Sequence, residues 1–187
     1  MRTGLRSILL SVVTVVLLIA TGVGYAIAAE QSVALSPTTT DQWLGSSFTL
    51  SAFYEVDDGD NTLTGLGVRF HFDSTRLQLT GFSELLPTDL TASEDQPQDD
   101  DENFDDDVST DKYVSIAWAS VGGNWPNATL PLELVQLDFM VDDAATVGET
   151  PVNVSFSSNA AGYTVSATDS VITITPVSYT HLTLPTN

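Results

Sequence analysis

Between Gly65 and Phe72 the chain alternates without a break: Leu66, Val68, Phe70 and Phe72 share one parity, and Gly67, Arg69 and His71 the other. A side-chain period of two belongs to a strand with one buried face and one wet face. Asp73-Ser74-Thr75 then supplies a turn, because Asp and Ser side chains hydrogen-bond the backbone beside them. Leu77 and Leu79 restart the apolar pattern in a second strand. The same period recurs in Phe48 to Val56 and in Val114, Ile116 and Trp118. It recurs in Leu132 to Val141, where one change of parity predicts a bulge near Val135-Gln136. Val33-Leu35, ending at Pro37, Val152 to Phe156 and Val171 to Ile174 are shorter strands. Thr38 to Asp41, Asp57 to Asn61 and Gly122 to Pro126 read as turns or loops. No segment of this region shows a helical period. Seven or eight turn-punctuated strands predict an all-β chain, a single antiparallel β-sandwich of the jelly-roll type.

The ends of the chain read differently. Arg2 and Arg6 precede an apolar run from Ile8 to Ala20, and Ala26-Ile27-Ala28 offers the small residues of a cleavage site. This is the pattern of a signal peptide over residues 1–29, with an uncleaved anchor as the alternative. Residues 177–187 resemble the translation of a sequencing adapter, with a genuine short tail as the alternative; they are set apart from the fold, and on the adapter reading the natural chain is expected to continue past Pro176. The stretch between, residues 30–176, has the length of one domain. It contains no cysteine, so its stability comes from a core and not from disulfides. A secreted or cell-surface location follows from the leader.

Charge narrows the partners. All 25 acidic residues lie at Glu30 or later, against Arg69, Arg76 and Lys112 as the basic residues of that stretch. Such a surface has no basic patch to neutralise phosphates, which excludes nucleic acid, and it disfavours direct binding to an anionic membrane after signal cleavage. Ten of the acids fall between Glu94 and Asp111, within a segment from Pro87 to Lys112 too polar to bury. The expectation is a long acidic loop inserted over the surface.

Two kinds of site follow. Asp99, Asp101, Asn103, Asp105 and Asp107 place oxygen donors at alternate positions, as at the start of a calcium loop. Phe104 stands where an EF-hand needs glycine and Thr110 where it needs glutamate, so the match is to donor chemistry and not to that motif. Asp57, Asp58, Asp60 and Asn61 form a second, sparser candidate. A solvated charge run is the ordinary reading of such a stretch, and calcium is the candidate cofactor set against it. For polysaccharide, Trp125 and Asn124 in the Gly-Asn-Trp-Pro turn, and then Trp43, are the candidate stacking and orienting residues; the alternative for Trp125 is a loop anchor packed on the sandwich. Trp118 belongs to the core by its parity.

Catalysis finds little footing, and a fragment of a polysaccharide-degrading enzyme is kept as the least-weighted alternative. His71 is the one histidine before the set-apart tail, there is no thiol, and neither a Gly-x-Ser-x-Gly elbow nor a phosphate-binding glycine loop occurs. Asn127-Ala-Thr and Asn153-Val-Ser fit the N-glycosylation pattern, which matters in a host that has the pathway.

The order of the strands and motifs resembles the cohesin family, within the wider carbohydrate-binding-module-like superfamily. The carrying residues are Val33-Ala-Leu-Ser-Pro, the Phe48-Thr-Leu strand, and Gly67 to Leu77, which is similar to an aromatic-Asp-Pro-x-x-Leu signature with Ser74 in place of proline. Leu134 to Val141, Thr150 to Phe156 and Val171 to Ile174 complete the order. The resemblance implies a non-catalytic extracellular receptor that binds calcium-loaded dockerin modules and takes part in polysaccharide catabolism. The acidic insertion, the Asn124-Trp-Pro loop and the single module depart from that pattern.

Overall fold

The computed structural model describes residues 28–177. The expected leader and the adapter-like tail therefore fall outside the described residues, save for their innermost positions.

Apolar alternation does what period two requires. Leu66, Val68, Phe70 and Phe72 are all at most 1% exposed, and so are Leu50, Tyr54, Val114, Ile116, Leu137 and Phe139. They meet between two sheets. One has the order β12-β1-β3-β10-β6 and the other β2-β13-β11-β5-β8-β7. The first contains β1 (Glu30–Ser36), β3 (Ser47–Val56), β6 (Leu77–Ser83), β10 (Leu132–Val141) and β12 (Thr164–Thr168). The second contains β2 (Thr39–Trp43), β5 (Gly65–Phe72), β7 (Leu90–Asp99), β8 (Lys112–Ala119), β11 (Gly148–Ser158) and β13 (Ser170–Thr175). The two-residue strands β4 (Thr62–Leu63) and β9 (Trp125–Pro126) pair with each other at one end. This is the expected β-sandwich. Removing each large side chain from water contributes roughly 1.5–3 kcal/mol.

Pairing is antiparallel except at two places: β1 runs parallel to β12, and β2 runs parallel to β13. Chain segment 30–43 thus serves both sheets, switching at Pro37, which has no N–H to continue a ladder. The sequence reading placed a turn over Thr38 to Asp41, and the structure corrects it. These polar residues fall in β2, because an edge strand needs backbone partners, here Val171 to Thr175 of β13 alongside Thr39 to Trp43, more than it needs apolar side chains.

The bulge in β10 lies between Glu133 and Val135, one position from where the parity change put it. At Gly65, φ is +130° and a Cβ would lie 2.1 Å from the Trp118 carbonyl oxygen, so only glycine lets β5 approach β8 this closely.

The acidic segment is corrected in part. Its first half is not loop but β7, paired with β8 at the edge of the six-stranded sheet. Backbone ladders do not discriminate against charged side chains on a solvated edge, and Pro97 falls in the irregular stretch between the pairs at Glu94 and Gln98. The remaining residues, 100–111, form the loop.

Candidate functional site: the acidic loop docked on the sheet

Arg69 and His71 point out of the sandwich from β5, and Asn153 and Ser155 do so from the adjacent β11. Parity alone would leave His71 in water. Instead it is 0% exposed, because residues 100–111 fold back over it. Three successive turns make that return possible: Asn103 N–H donates to the Asp100 carbonyl, Asp106 to Asn103, and Thr110 to Asp107. Asn103 and Asp106 take positive φ, of 52° and 60°, which Asn and Asp tolerate better than other side chains. At its two ends the loop closes on itself through Asp100 N–H to the Asp111 carbonyl, and Asp111 N–H is bound by the Phe72 carbonyl.

Side-chain contacts from His71, Asn153, Arg69 and Tyr113 hold the loop to the sheet. His71 Nδ1 lies 2.8 Å from Asp100 Oδ2, and both side chains are wholly buried. A carboxylate only accepts, so Nδ1 carries the proton, and Nε2 faces the Ser155 hydroxyl at 2.7 Å. Asn153 donates from Nδ2 to Asp105 Oδ2 at 2.9 Å and to Asp107 Oδ2 at 3.0 Å. Thr110 Oγ1 donates to the same Asp105 oxygen at 2.8 Å. Phe104 lies under the Arg69 guanidinium, 4.0 Å from its centroid, and meets Tyr113 edge-on. The Asp107 carboxyl is held below its usual range, first by the Ser109 backbone N–H, then by the Ser109 hydroxyl and by Asn153.

The alternating donors do not converge on one point. Asp105 and Asp107 turn to Asn153, whereas Asp99, Asp101 and Asn103 line a hollow of about 400 Å³ with Asp100, Thr110 and Asp111. Asp99 is bonded to Lys112, whose ammonium is held above its ordinary range chiefly by that contact. Asp111 accepts from the Ser74 N–H and hydroxyl. Asn103 Oδ1 is buried and has no hydrogen-bond partner among the described residues. His71, Asp100 and Asp105 also present ligand atoms within 4.8 Å of one another.

The second loop is held by its own contacts. Asp57 accepts from Glu30 N–H, Asp60 accepts from the Thr62 N–H and hydroxyl, and Tyr163 donates to Asp58 at 3.0 Å. Desolvation, followed by the Asp58 hydrogen bond, pushes the Tyr163 phenol up to about 12. Asn61 is spent on the Ala128 carbonyl.

Trp125 is not an exposed platform. It is 0% exposed, with ring centroids 4.9 Å from Tyr54 and 6.0 Å from Trp118, because the β4–β9 pair closes the end of the sandwich over it. Trp118 is 2% exposed, in the core as its parity required. Asn124 is exposed beside the buried Trp125, and Trp43 is 60% exposed on edge strand β2. The structure puts Trp43 in a different sheet from Trp125 and does not assemble these three into one site. Sequence reasoning missed Asn153 and Ser155. Their parity on β11 marks them as outward-facing, but nothing local says that β11 lies beside β5.

Two sheets, a chain that crosses between them at Pro37, and parallel outer pairs at both of its halves define a β-sandwich with mixed pairing at its edges. More narrowly, the chain has the cohesin fold. No protein-family profile and no curated protein sequence matches it. Among solved structures, the seventh ScaB type I cohesin of Pseudobacteroides cellulosolvens superposes with a TM-score of 0.54 at 9% identity, over 83% of this chain and 98% of that one. The Coh-OlpA–Doc918 cohesin–dockerin complex of Clostridium thermocellum matches at 0.53 and 8% identity, over 78% and 99%. The third ScaC cohesin of Acetivibrio cellulolyticus, solved with the ScaB dockerin, matches at 0.51 and 14%, over 78% and 98%. At these identities the likeness is one of fold.

Proposed function

We propose that this protein is a non-catalytic extracellular recognition module that docks a partner protein of the dockerin type. One observation carries the reading: the sandwich accommodates entire cohesin modules, 98–99% of their length, and two of those three structures contain a dockerin. The chain carries an acidic loop docked on the outer face of β5 and β11. Its charge selects partners by repulsion as well as attraction, favouring a partner that is basic or carries bound cations. The polysaccharide reading loses its main support with the burial of Trp125. Calorimetric titration of the protein with a panel of calcium-loaded dockerin modules tests the proposal. Saturable one-to-one binding supports it; no heat with any member, alongside retention on insoluble polysaccharide, overturns it.

The second reading is a calcium-stabilised surface module. The specific observation is the buried, unpartnered Asn103 Oδ1 beside Asp99, Asp101 and Asp111 around the hollow. Calcium takes about six to eight oxygens from carboxylates, carbonyls and water, and these four side chains supply part of such a set. A ligand that binds only the folded state raises the unfolding midpoint by mass action. A midpoint raised by calcium but not by magnesium or by equal ionic strength of sodium chloride supports this reading. An equal rise with every salt reduces the loop to a screened charge cluster.

A further inference from the structure

Two Asn-x-Ser/Thr patterns occur, at Asn127-Ala-Thr and Asn153-Val-Ser, and the fold treats them oppositely. An N-linked glycan requires a free carboxamide nitrogen and a hydroxyl at the third position in an accessible segment. Both requirements fail at Asn153. Its Nδ2 donates to Asp105 and Asp107 of the docked acidic loop, and the Ser155 hydroxyl is engaged with His71 Nε2. A glycan there is incompatible with the closed loop.

Asn127 lies in the five-residue connection between β9 and β10, at φ +51°. Asn127 and Thr129 are both exposed. The backbone around them is anchored: Asn127 N–H donates to the Asn61 carbonyl at 2.7 Å, and Asn61 Nδ2 donates to the Ala128 carbonyl at 2.8 Å. The Asn127 carboxamide and the Thr129 hydroxyl are open to solvent. The site is also remote from the acidic loop. Asn127 is tied to the Gly65 end of β5 through Asn61, whereas Asp111 is tied to its Phe72 end, and a strand of this length spans about 25 Å.

We infer that Asn127 is an N-glycan acceptor in the folded protein and that Asn153 is not. The glycan would occupy the β4–β9 end and leave the acidic loop free. The transfer balances with a lipid-diphosphate-linked oligosaccharide as donor. The Asn127 nitrogen attacks the anomeric carbon, the bond from that carbon to the diphosphate oxygen breaks, the lipid diphosphate leaves, and the amide gives up one proton.

The folded protein is incubated with a purified oligosaccharyltransferase that requires only Asn-x-Ser/Thr, together with that donor, and occupancy is read by peptide mass spectrometry. Glycan on Asn127 with Asn153 bare is the expected result. Asn127→Gln is expected to abolish the mass increase, and Asn153→Gln to leave it unchanged. A bare Asn127, or occupancy of Asn153 in protein whose acidic loop remains protected from hydrogen exchange, overturns the inference. The same reaction on denatured protein is the control that both patterns are competent sequences; a failure there at Asn127 also overturns it.

Discussion

His71 Nδ1 donates to Asp100 Oδ2 over 2.8 Å, with both side chains wholly buried. One bond therefore joins the second-to-last position of a central strand to the first residue of the acidic loop, and it is the deepest point of contact between them. A buried carboxylate that loses its partner keeps its desolvation cost and forfeits the interaction that offset it. His71→Ala is expected to destabilise the protein by about 3–5 kcal/mol, and Asp100→Asn by less, since the amide still meets the ring. Urea denaturation followed by tryptophan fluorescence checks both. Equal, negligible losses would show that the pair contributes nothing.

Asn153 joins Asp105 and Asp107 to the neighbouring strand, donating to both. Hydrogen bonds to charged groups contribute about 1.5–3 kcal/mol each. Asn153→Ala should release the loop locally. Asn153→Asp should do more, because it sets a third carboxylate against two. Hydrogen exchange of residues 100–111 should accelerate in the order wild type, Ala, Asp, while exchange in β3 and β10 stays slow. Uniform acceleration throughout the sandwich would contradict a local role.

Acid should loosen the same loop. The Asp107 carboxyl is depressed by the Ser109 N–H, the Ser109 hydroxyl and Asn153. A depressed carboxyl pKa means that the folded state favours the ionised form. Its contribution is present above the unfolded value, about 3.9, and is lost as pH falls through the lower folded value. The protein should lose stability on acidification below about pH 4, and Asp107→Asn should flatten the profile in that window. An unchanged profile in the variant would assign the acid transition to other carboxylates.

At alkaline pH the tyrosines report the opposite end of the molecule. Tyr54 and Tyr163 are both pushed up to about 12, first by desolvation. A raised phenol pKa means that the folded state favours the neutral form, so this contribution is full below the unfolded value near 10 and is lost as pH rises towards about 12. Phenolate absorbance should therefore lag for these two residues until the protein unfolds. Removal of Tyr163 by Tyr163→Phe should take one lagging step away; a spectrum unchanged by the substitution would contradict its contact with Asp58.

Trp125 and Trp43 separate burial from exposure. Trp125→Ala is expected to cost about 3–5 kcal/mol, the range for emptying a large aromatic site in a core. Trp43, 60% exposed, should tolerate alanine within about 0.5 kcal/mol. Chemical denaturation of the two variants checks the contrast, and a stable Trp125→Ala would mean that the end of the sandwich is open.

Local pattern determined the sandwich. The alternation of Leu66, Val68, Phe70 and Phe72, and of Val114, Ile116 and Trp118, assigns a buried face by period alone, because in a strand the neighbour in sequence always points the other way. The bulge in β10 was legible for the same reason, since a change of parity has no other regular explanation. The acidity of residues 94–111 and the turn at Asp73 were equally local facts. What tertiary structure alone decided was pairing across long sequence separations. His71 is buried only because a loop about 30 residues later returns to cover it, and Asn153 becomes a loop anchor only because β11 lies beside β5. Thr39 to Trp43 becomes a strand only because β13 offers it a parallel edge. Trp125, in a stretch that reads as a turn, is buried because Thr62 and Leu63 close over it. Backbone hydrogen bonds and carboxylate acceptors carry no signature in a one-dimensional pattern, so a polar segment's fate is set by which partner the folded chain brings within reach.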